Sequence, residues 1–513
     1  MTASSSHTAA LGAPLRPTSA QRRELRKRVV ALALFVFVVG NGVGILYIWG
    51  AGGEDGTGYH FFRNTDLTLE SLGRVTAFAS GYLAIVEVLL LARLPFLERL
   101  VGFDKLTIWH RWNGHAVLYF ALAHVGFTVW GYARVDGTSW YTEYWRWLTL
   151  PQQSAPSSTT PIKHLDLSKG LSIGSAPAGG TCHALSCASA APTSSPFPGI
   201  ITATVGTGLL LVVLFTSLVV VRRKLSYEWW YFVHFTAYAG IALAFLHMVP
   251  DGNDVHIDHV AGDYWISLFA FGLALVVWYR LLRPIMNTFR FGMRVSEIVE
   301  ETPGVISMRI TGRHLDRLHT KAGQFYFWRF FAKGFWYTQH PYSLSEAPRD
   351  DSFRITVKNL GDHTAKFGQI PIGTRVFAEG PFGVFTSDSR TLDKALLIAG
   401  GIGITPVRAL LEQMDGDLVA IYRAMSKDEL VFGDELVKLA AERGVKVDYV
   451  VGDHATAEGR RLLTPAHLKE LVPDIAERDV YICGPVAMID NVIPNLRNAN
   501  VSRKHLHVER FAL

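Results

Sequence analysis

The sequence predicts a multidomain fold: an all-α transmembrane half of six helices, followed by a soluble half of β and α/β structure. The chain has 513 residues, more than one ordinary domain holds. Hydrophobic residues make up 49% and charged residues 18% of the chain, whereas about a quarter of the residues of soluble proteins are charged. The mean hydropathy is +0.20, and apolar runs long enough to cross a membrane stop at residue 283.

Apolar runs in the first half approach the ~20 residues that a membrane-crossing helix needs. After residue 283, short apolar stretches alternate with Gly, Pro and charged residues, as in soluble β and α/β domains. We therefore expect a transmembrane domain at 29–283, preceded by a basic tail at 1–28. Its six predicted spans lie near residues 29–49, 74–93, 109–130, 199–221, 229–249 and 264–282.

Basic residues predict the orientation in the lipid bilayer, because Lys and Arg collect in cytoplasmic loops. The runs QRRELRKR (21–28) and VRRKL (221–225), the 93–108 loop, and Arg280 with Arg283 all fall on one side of the six spans. We therefore expect a multi-pass protein of the cell membrane, with its N-terminus and soluble half in the cytoplasm. The formal charge of +6 clusters at these membrane flanks, which argues against a nucleic-acid partner.

The 131–198 segment would then lie outside the cell, and its Ser, Thr, Pro and Ala content predicts a low-complexity loop. Cys182 and Cys187 fall in this loop, on the oxidising side, where a disulfide between them is allowed. Cys483 is the third and last cysteine of the chain. Because a plant-type iron–sulfur cluster needs four thiolates, we expect no such cluster.

Two predicted spans each carry a pair of histidines. His110 and His124 are fourteen residues apart in span three, and His234 and His247 are thirteen apart in span five. These separations correspond to roughly 21 and 20 Å along a helix. Because both spans run from inside to outside, His110 matches His234 in depth and His124 matches His247. Each pair can supply two axial imidazoles to one haem iron, which predicts two haems stacked across the bilayer.

The alternative for any single histidine in a span is a polar contact with a neighbouring helix. We adopt that interpretation for His115, which has no partner in span five. Two matched pairs are harder to explain in this way, because ionisable groups in spans are costly and usually functional. A thirteen-residue separation rotates by about −140° in an ideal helix. Either span five is distorted near Gly240, or its haems approach from different sides.

The soluble half contains a series of nucleotide-binding motifs. HPYSLSEAP begins at residue 340, FRITVKNLGDHT covers 353–364 and EGPFG covers 379–383. LLIAGGIGITPVRALL (396–411) places a Gly-rich turn between a strand and a helix. Such a turn lets backbone N–H groups approach a pyrophosphate at a helix N-terminus.

Arg423 follows the Gly-rich turn by about twenty residues, at the expected end of the next strand. An arginine there suits a 2′-phosphate and favours NADPH over NADH, although NADH remains open. The alternative is a solvated charge at the strand end, because Asp428 and Glu429 lie nearby.

These motifs, in this order, resemble the ferric reductase/NADPH oxidase family. The likeness covers nearly the whole chain apart from the N-terminal tail and the 131–198 loop. It implies that 29–283 is a bis-haem domain with two haems b. It also implies a ferredoxin-NADP reductase-like module, with an FAD-binding β-barrel at 287–390 and a Rossmann-like NADPH-binding domain at 391–513.

The resemblance assigns expected roles to residues that match the family's motifs. The first flavin segment is His340, Pro341, Tyr342 and Ser343, and the second is Gly361, His363 and Thr364. The nucleotide turn is Gly400, Gly401, Gly403, Thr405 and Pro406. Cys483, Gly484 and Pro485 match the segment that borders the nicotinamide, although Cys483 could equally be a plain buried thiol. Phe511 matches the terminal aromatic that covers the flavin, here followed by two further residues.

The implied activity carries electrons from cytoplasmic NADPH through FAD and both haems to an acceptor outside the cell. Arg74 matches an arginine that oxidases of the family carry at the outer end of span two. Thr128, however, stands where those oxidases tend to carry a histidine. The acidic loop 251–263 could hold a metal cation, although a solvated acidic loop is the simpler interpretation.

We therefore expect a ferric or other metal-chelate acceptor. The alternatives are a superoxide-generating NADPH oxidase, or an electron relay to a partner protein. Arg74, Cys483 and Phe511 are the expected residues near the reacting groups.

Overall fold

The computed structural model describes residues 19–51, 65–150, 199–251, 259–361, 363–453 and 455–511. Cys182, Cys187 and most of the acidic 251–263 loop lie outside the described residues, so the predictions made for them stay predictions. The chain forms two compact units, and each is described by itself. One comprises Asn41–Phe289, and the other comprises Arg290–Leu513 together with Met1–Gly40.

Among its described residues, the first half of the chain forms helices joined by short turns. Among them, six helices are long and apolar enough to cross a membrane, as the sequence predicts. Large apolar side chains on these helices are exposed, for example Phe35, Phe232 and Leu273, which fits a lipid environment rather than water. The helices are α1 (Ser19–Ala51), α2 (Thr65–Leu90), α3 (Pro95–Val101), α4 (Phe103–Val135), α5 (Trp140–Thr149), α6 (Ile200–Ser217), α7 (Val219–Arg222), α8 (Tyr227–Asp251), α9 (His259–Val276) and α10 (Arg283–Phe291).

Helix α5 occupies the beginning of the segment that the sequence predicts as a low-complexity loop. Ser139 caps it, because its hydroxyl accepts a hydrogen bond from the Thr142 N–H. Glu143 and Trp147 are buried on one side of the helix, and exposed aromatic residues cover the other. The Ser-, Pro- and Ala-rich part of the 131–198 segment therefore begins only after α5.

Span five is one uninterrupted α-helix, α8, so the distortion considered near Gly240 is not present. Gly240 instead marks the place where α8 packs closely against α6. A Cβ added at Gly206 would lie 2.9 Å from the Gly240 carbonyl oxygen. Small residues at such crossings let membrane helices approach closely. His234 and His247 therefore leave a regular helix in different directions.

The last span extends further than the sequence predicts. It continues from α9 through a π-helical turn at Val277–Leu282 into α10. Pro284 lies just after this turn and lacks the N–H that a regular helix would donate to the preceding turn. The wider turn accommodates the missing bond.

The strands of the soluble half begin with β1 (Arg294–Thr302), β2 (Val305–Thr311), β3 (Phe325–Phe330), β4 (His340–Ser343), β5 (Ser352–Lys358) and β6 (Val376–Phe382). They form two antiparallel sheets of three strands, ordered β1–β2–β5 and β4–β3–β6. Single bridges, Arg294 to Arg375 and Leu344 to Ile355, connect the two sheets. The expected β-barrel is thus represented by two linked sheets around one core, and not by one continuous ladder.

The remainder is a parallel five-stranded sheet with helices, as the Gly-rich turn predicts. Its strand order is β11–β10–β7–β8–β9. The order reverses between β7 and β10, and ligands of such folds bind at that point, beyond the carboxyl ends of the strands. The elements are β7 (Lys394–Gly400), α11 (Ile404–Gln413), β8 (Asp417–Ala424), α12 (Gly433–Arg443), β9 (Lys446–Val451), α13 (Pro465–Leu471), β10 (Asp479–Pro485), α14 (Val486–Asn498) and β11 (Leu506–Phe511).

Candidate redox site

The structure brings the four span histidines together in two pairs. The ring centres of His110 and His234 are 5.9 Å apart, and those of His124 and His247 are 6.2 Å apart. Helix α4 supplies one member of each pair and α8 supplies the other. The rings within each pair are inclined to one another, by 63° and 47° respectively.

Each of these histidines uses its Nδ1 atom for a contact within the protein. His110 Nδ1 lies 2.7 Å from a Glu87 carboxylate oxygen. His124 Nδ1 lies 2.9 Å from the Gly73 carbonyl, and His247 Nδ1 lies 2.9 Å from the carbonyl of Ala244. Carbonyl and carboxylate oxygens only accept hydrogen bonds, so Nδ1 must donate and Nε2 keeps its lone pair.

His234 completes this pattern, with Nδ1 3.3 Å from the Ser217 hydroxyl. Its ring also stacks on Trp230, with ring centres 4.8 Å apart. Metal-ligating histidines are held in the same way, by a hydrogen bond at the nitrogen that does not bind the metal. For His110, His124 and His247 this arrangement leaves Nε2 without a proton and available as a ligand. The Ser217 hydroxyl allows the same tautomer in His234, because a hydroxyl can accept a hydrogen bond from Nδ1.

The spacing within each pair fits an iron ion between two imidazoles. Bonds from imidazole nitrogen to a first-row metal are about 2.0–2.1 Å long, which places the two ring centres roughly 6.3 Å apart. In the part of the chain that the structure describes, no three His, Cys, Asp or Glu side chains gather around one point. A haem would fit such a pair, because its macrocycle supplies the other ligands of the iron.

Other predicted residues in this unit lie beside the His124 pair or apart from both pairs. Arg74 is half-buried and follows Gly73, whose carbonyl holds His124. Thr128 places its hydroxyl 3.3 Å from the same His124 nitrogen. His115 bonds only within its own helix, where its Nδ1 lies 2.6 Å from the Arg111 carbonyl. Its contact is thus structural, but it is made within its own helix and not with a neighbouring helix as expected from the sequence.

The first flavin segment forms strand β4 at the edge of one of the antiparallel sheets. Tyr342 pairs with Tyr326 of β3, and the Trp328 indole donates to the Tyr342 carbonyl at 3.0 Å. Pro341 is exposed, as an edge strand permits. Ser343 is buried at the end of the strand.

The Tyr342 hydroxyl is a buried polar group with no hydrogen-bond partner among the described residues. Burial also raises the pKa of Tyr342 well above its usual value, so the hydroxyl stays protonated. A buried hydroxyl without a partner is costly, and native proteins usually satisfy such groups. An external hydrogen-bonding group such as a flavin fits this position.

The second flavin segment lies against the first. The rings of His363 and His340 are 4.1 Å apart, and the Thr338 hydroxyl lies 3.1 Å from His363 Nε2. Thr364 uses its hydroxyl to accept from the Gly361 N–H at 3.1 Å, so it shapes this loop. Gly361 has open space where a Cβ would be, as the close approach of a ligand would require.

The nucleotide turn lies at the point where the strand order of the parallel sheet reverses. Gly401 has a positive φ of 50°, which favours glycine. A Cβ at Gly403 would lie 2.4 Å from the Cys483 carbonyl oxygen, and one at Gly400 would meet Met488 at 2.3 Å. The turn thus lies so close to β10 that any side chain larger than hydrogen at Gly400 or Gly403 would clash.

Helix α11 begins directly after this turn. Thr405 is buried, and its hydroxyl donates to the Ile402 carbonyl at 3.0 Å. Pro406 is also buried in the first turn of the helix. The Thr405 hydroxyl therefore closes the turn, while the helix N-terminus provides the positive end of a dipole beside it.

The segment expected near the nicotinamide lies beside the turn. Cys483 and Gly484 are at the end of β10, and Pro485 pairs with Phe511 in the register of β10 and β11. Phe511 is partly buried against the core of this domain. Burial, and after it the charge of Glu509, raises the pKa of Cys483 well above its usual value. The thiol is therefore protonated at neutral pH and is no nucleophile.

Arg423 lies at the end of β8, but its guanidinium is largely occupied. It donates to the carbonyls of Ala424, Val450 (3.4 Å) and Gly452 (2.5 Å). Burial lowers its pKa, and the neighbouring Asp453 and Glu429 only partly oppose that effect. Its principal contacts link β8 to β9, so any 2′-phosphate would share an already engaged side chain.

Glu87 is a site residue that the sequence interpretation did not single out. It is an acidic residue within span two, and a carboxylate in a span is a functional signal by itself. Its contact with His110 depends on how α2 packs on α4, which the sequence of neither helix shows.

Comparisons with known proteins match three consecutive regions of the chain. A ferric reductase like transmembrane component model matches residues 76–245. An FAD-binding domain model matches residues 291–386, and an oxidoreductase NAD-binding domain model matches residues 397–493.

Curated relatives each match part of the chain. Flavohemoprotein B of Dictyostelium discoideum is 30% identical over 195 residues, which cover 34% of this chain and 45% of that protein. A flavohemoprotein of Oceanobacillus iheyensis is 28% identical over 33% of this chain and 46% of its own length. The NADH oxidoreductase HCR of Escherichia coli is 27% identical over 42% of this chain and 67% of its own length. The chain thus spans about half the length of the first two relatives.

Among solved structures, the flavohem-like FAD/NAD-binding domain of nitric oxide dioxygenase from Vibrio cholerae aligns with 43% of this chain and 98% of its own. It is 23% identical, with a TM-score of 0.35.

The domains and relatives define the chain as an NAD(P)H-dependent oxidoreductase with a membrane-spanning half. More particularly, the chain has the architecture of the ferric reductase/NADPH oxidase family, a ferric reductase-like membrane domain followed by FAD- and NAD-binding domains.

Proposed function

We propose that this protein moves electrons from cytoplasmic NADPH, through FAD and two haems b, to a ferric or other metal-chelate acceptor outside the cell. The two histidine pairs, with ring centres 5.9 and 6.2 Å apart, carry this proposal. They occur on the same chain as FAD- and NAD-binding domains. A redox module and two metal-ready pairs together indicate electron transfer across a membrane.

Distinct groups of residues would hold each cofactor. His110 with His234, and His124 with His247, would hold the two haems b. FAD would bind along His340–Ser343 and the loop of Gly361, His363 and Thr364. NADPH would bind at Gly400, Gly401, Gly403, Thr405 and Pro406, beside Gly484 and Pro485. When bound, these groups supply the hydride and single-electron chemistry that side chains lack.

The chain itself binds, orients and shields these groups. Backbone N–H groups of the turn after Gly400, and the N-terminus of α11, would receive the pyrophosphate. Phe511, partly buried beside Pro485, would cover the flavin and exclude water. The Nδ1 contacts of the four histidines fix each ring, so little reorganisation is needed during electron transfer.

The proposed orientation rests on basic residues at the cytoplasmic ends of the spans. Arg222, Arg223 and Lys224 lie between α6 and α8, and Arg280 and Arg283 lie near the end of the last span. Lys and Arg in short loops favour the cytoplasmic side. The His110 pair would then be the inner one and the His124 pair the outer one.

The acceptor would be reduced without binding to iron, because His124 and His247 would both ligate the iron of the outer haem. Thr128, at 3.3 Å from His124 Nδ1, stands where oxidases of the family tend to carry a histidine. This favours a metal chelate over oxygen. The position of Arg74, next to the Gly73 carbonyl that holds His124, supports superoxide production as the second candidate.

Acceptor assays on the purified protein in nanodiscs, supplied with FAD and NADPH, distinguish these functions. We expect anaerobic, NADPH-dependent reduction of Fe(III)-EDTA, followed with a ferrous-specific chelator. Reduction of cytochrome c that superoxide dismutase abolishes would instead indicate the oxidase. Neither activity until a second protein is added would indicate a relay.

A matched pair of variants tests the route. His247→Leu should abolish acceptor reduction yet leave NADPH-dependent flavin bleaching intact. His115→Leu, which alters a histidine bonded only within α4, should retain both. Normal Fe(III) reduction by His247→Leu would refute the proposed route.

A further inference from the structure

The two histidine pairs differ in what their Nδ1 atoms contact. His110 contacts a carboxylate, whereas His124 and His247 contact backbone carbonyls and His234 contacts a hydroxyl. Among the described Nδ1 contacts, that of His110 is therefore the one made with an anionic group. This difference matters because hydrogen bonding to an axial ligand is one of the ways in which proteins set the reduction potential of a haem.

The Glu87 carboxylate occupies a built position within the membrane unit. One oxygen lies 2.7 Å from His110 Nδ1, and the other accepts from the Asn113 amide at 2.8 Å. Asn113 is itself fixed, because its amide also donates to the Leu83 carbonyl at 2.8 Å. The Glu87 side chain is only 13% exposed.

Gly114 provides the space for this carboxylate. A Cβ added there would lie 2.8 Å from the Glu87 oxygen that contacts His110. Three positions of one α4 segment, His110, Asn113 and Gly114, thus converge on the same carboxylate. Because both of its oxygens have hydrogen-bond partners, the Glu87 carboxylate is held in one orientation within the span.

We infer that Glu87 tunes the haem of the His110–His234 pair to a lower reduction potential than that of the His124–His247 pair. A carboxylate that accepts a hydrogen bond from the Nδ1–H group gives the imidazole more anionic character. An anionic ligand stabilises ferric over ferrous iron, so the potential of that haem falls. The inference rests on the haem binding proposed above.

The consequence is a direction for electron flow. The His110–His234 haem would be the inner one, on the cytoplasmic side. With the lower potential at the inner haem, the step to the outer haem is energetically downhill. The inner haem gives up one electron and is oxidised, and the outer haem accepts it and is reduced. Glu87 acts through His110, so it is a positioning residue.

A spectroelectrochemical titration of the purified protein, followed at the haem absorption bands, tests this inference. In the unaltered protein we expect two haems that titrate at separate potentials. Glu87→Gln removes the charge while nearly preserving the shape. It should keep two haems, raise the lower potential towards the higher one, and leave the higher one in place.

The matched control is Glu143→Gln. Glu143 is another buried carboxylate of the same unit, but it bonds to the Trp147 indole at 2.6 Å and the Thr138 hydroxyl at 2.9 Å. This variant should leave both potentials unchanged. Two retained haems with unchanged potentials in Glu87→Gln would overturn the inference and leave Glu87 as a link between helices.

Two further outcomes keep the test decisive. If Glu87→Gln loses a haem, the potentials of the unaltered protein test the inference instead. Two haems with indistinguishable potentials in that protein would contradict it. Separate potentials, together with one ferric EPR signal displaced towards imidazolate-type ligation, would support it. Absence of any haem from the unaltered protein would refute the proposed function itself, a result distinct from the failure of Glu87 to tune a haem.

Discussion

Replacement of Gly403 by alanine isolates the close approach between the nucleotide turn and β10. A Cβ at Gly403 would lie 2.4 Å from the Cys483 carbonyl oxygen and 2.7 Å from the Gly484 Cα, both backbone atoms. Gly403 itself has a φ of −61°, which alanine adopts freely. The substitution therefore adds a steric clash without backbone strain.

The size of the effect follows from the geometry. Ordinary contact begins near 3.4 Å, so the turn and the strand must separate by about 1 Å, and overpacking of this kind costs about 1–3 kcal/mol. If the cost falls on the nucleotide site, NADP⁺ binds about 5- to 150-fold more weakly, since 1.4 kcal/mol corresponds to a tenfold change.

Isothermal titration of NADP⁺ into the purified flavoprotein measures this loss, and thermal unfolding shows any cost to the fold. Gly433→Ala is the matched control, because nothing lies within 4 Å of its added Cβ. It should leave NADP⁺ affinity unchanged. Unaltered affinity and unaltered melting temperature in Gly403→Ala would refute the close approach.

Three further predictions concern separate parts of the chain. Tyr342→Phe should leave the melting temperature of the FAD-free protein unchanged, since the hydroxyl has no partner among the described residues. Titration with FAD should show an affinity about 2- to 10-fold weaker, which corresponds to the loss of one hydrogen bond. An affinity equal to that of the wild type would count against a contact between this hydroxyl and the flavin. Hydrogen bonds from Arg478, followed by Lys394, outweigh burial and lower the pKa of Asp474 to about 2. The ionised Asp474 therefore stabilises the fold fully above pH about 4, and this stabilisation is lost as the pH falls towards 2. The melting temperatures of the wild type and Asp474→Asn should converge over that range, and a pH-independent difference would contradict this linkage. Gly206→Val should weaken the α6–α8 contact by about 1–3 kcal/mol, seen as earlier haem release on heating, whereas Gly208→Val, with open space at its Cβ, should behave as the wild type.

The sequence predicts best those features that repeat along the chain. Six apolar runs of the length of a membrane span correspond to six long apolar helices among the described residues. The Rossmann-like domain expected at 391–513 likewise corresponds to a parallel five-stranded sheet with helices. Length and periodicity are local properties, so they survive without knowledge of tertiary packing.

Features that depend on packing between distant segments could not be predicted in this way. The contact between Glu87 and His110 requires a particular rotation of α2 against α4. Arg423 appears in the sequence as a strand-end cation, but the neighbouring strand supplies carbonyls that occupy it. Helix α8 needs no distortion at Gly240, because that glycine serves the contact with α6. In each case, the contact depends on which distant segment packs against the residue in the folded protein.

The haem content of the purified protein, measured together with its ferric EPR spectrum, tests the central claim most directly. Two bis-imidazole pairs predict two haems b per chain, both low-spin, and the loss of one haem when either His124 or His234 is replaced by leucine. Fewer than two haems in the unaltered protein, a high-spin ferric signal, or a full complement of haem in either variant would contradict the account.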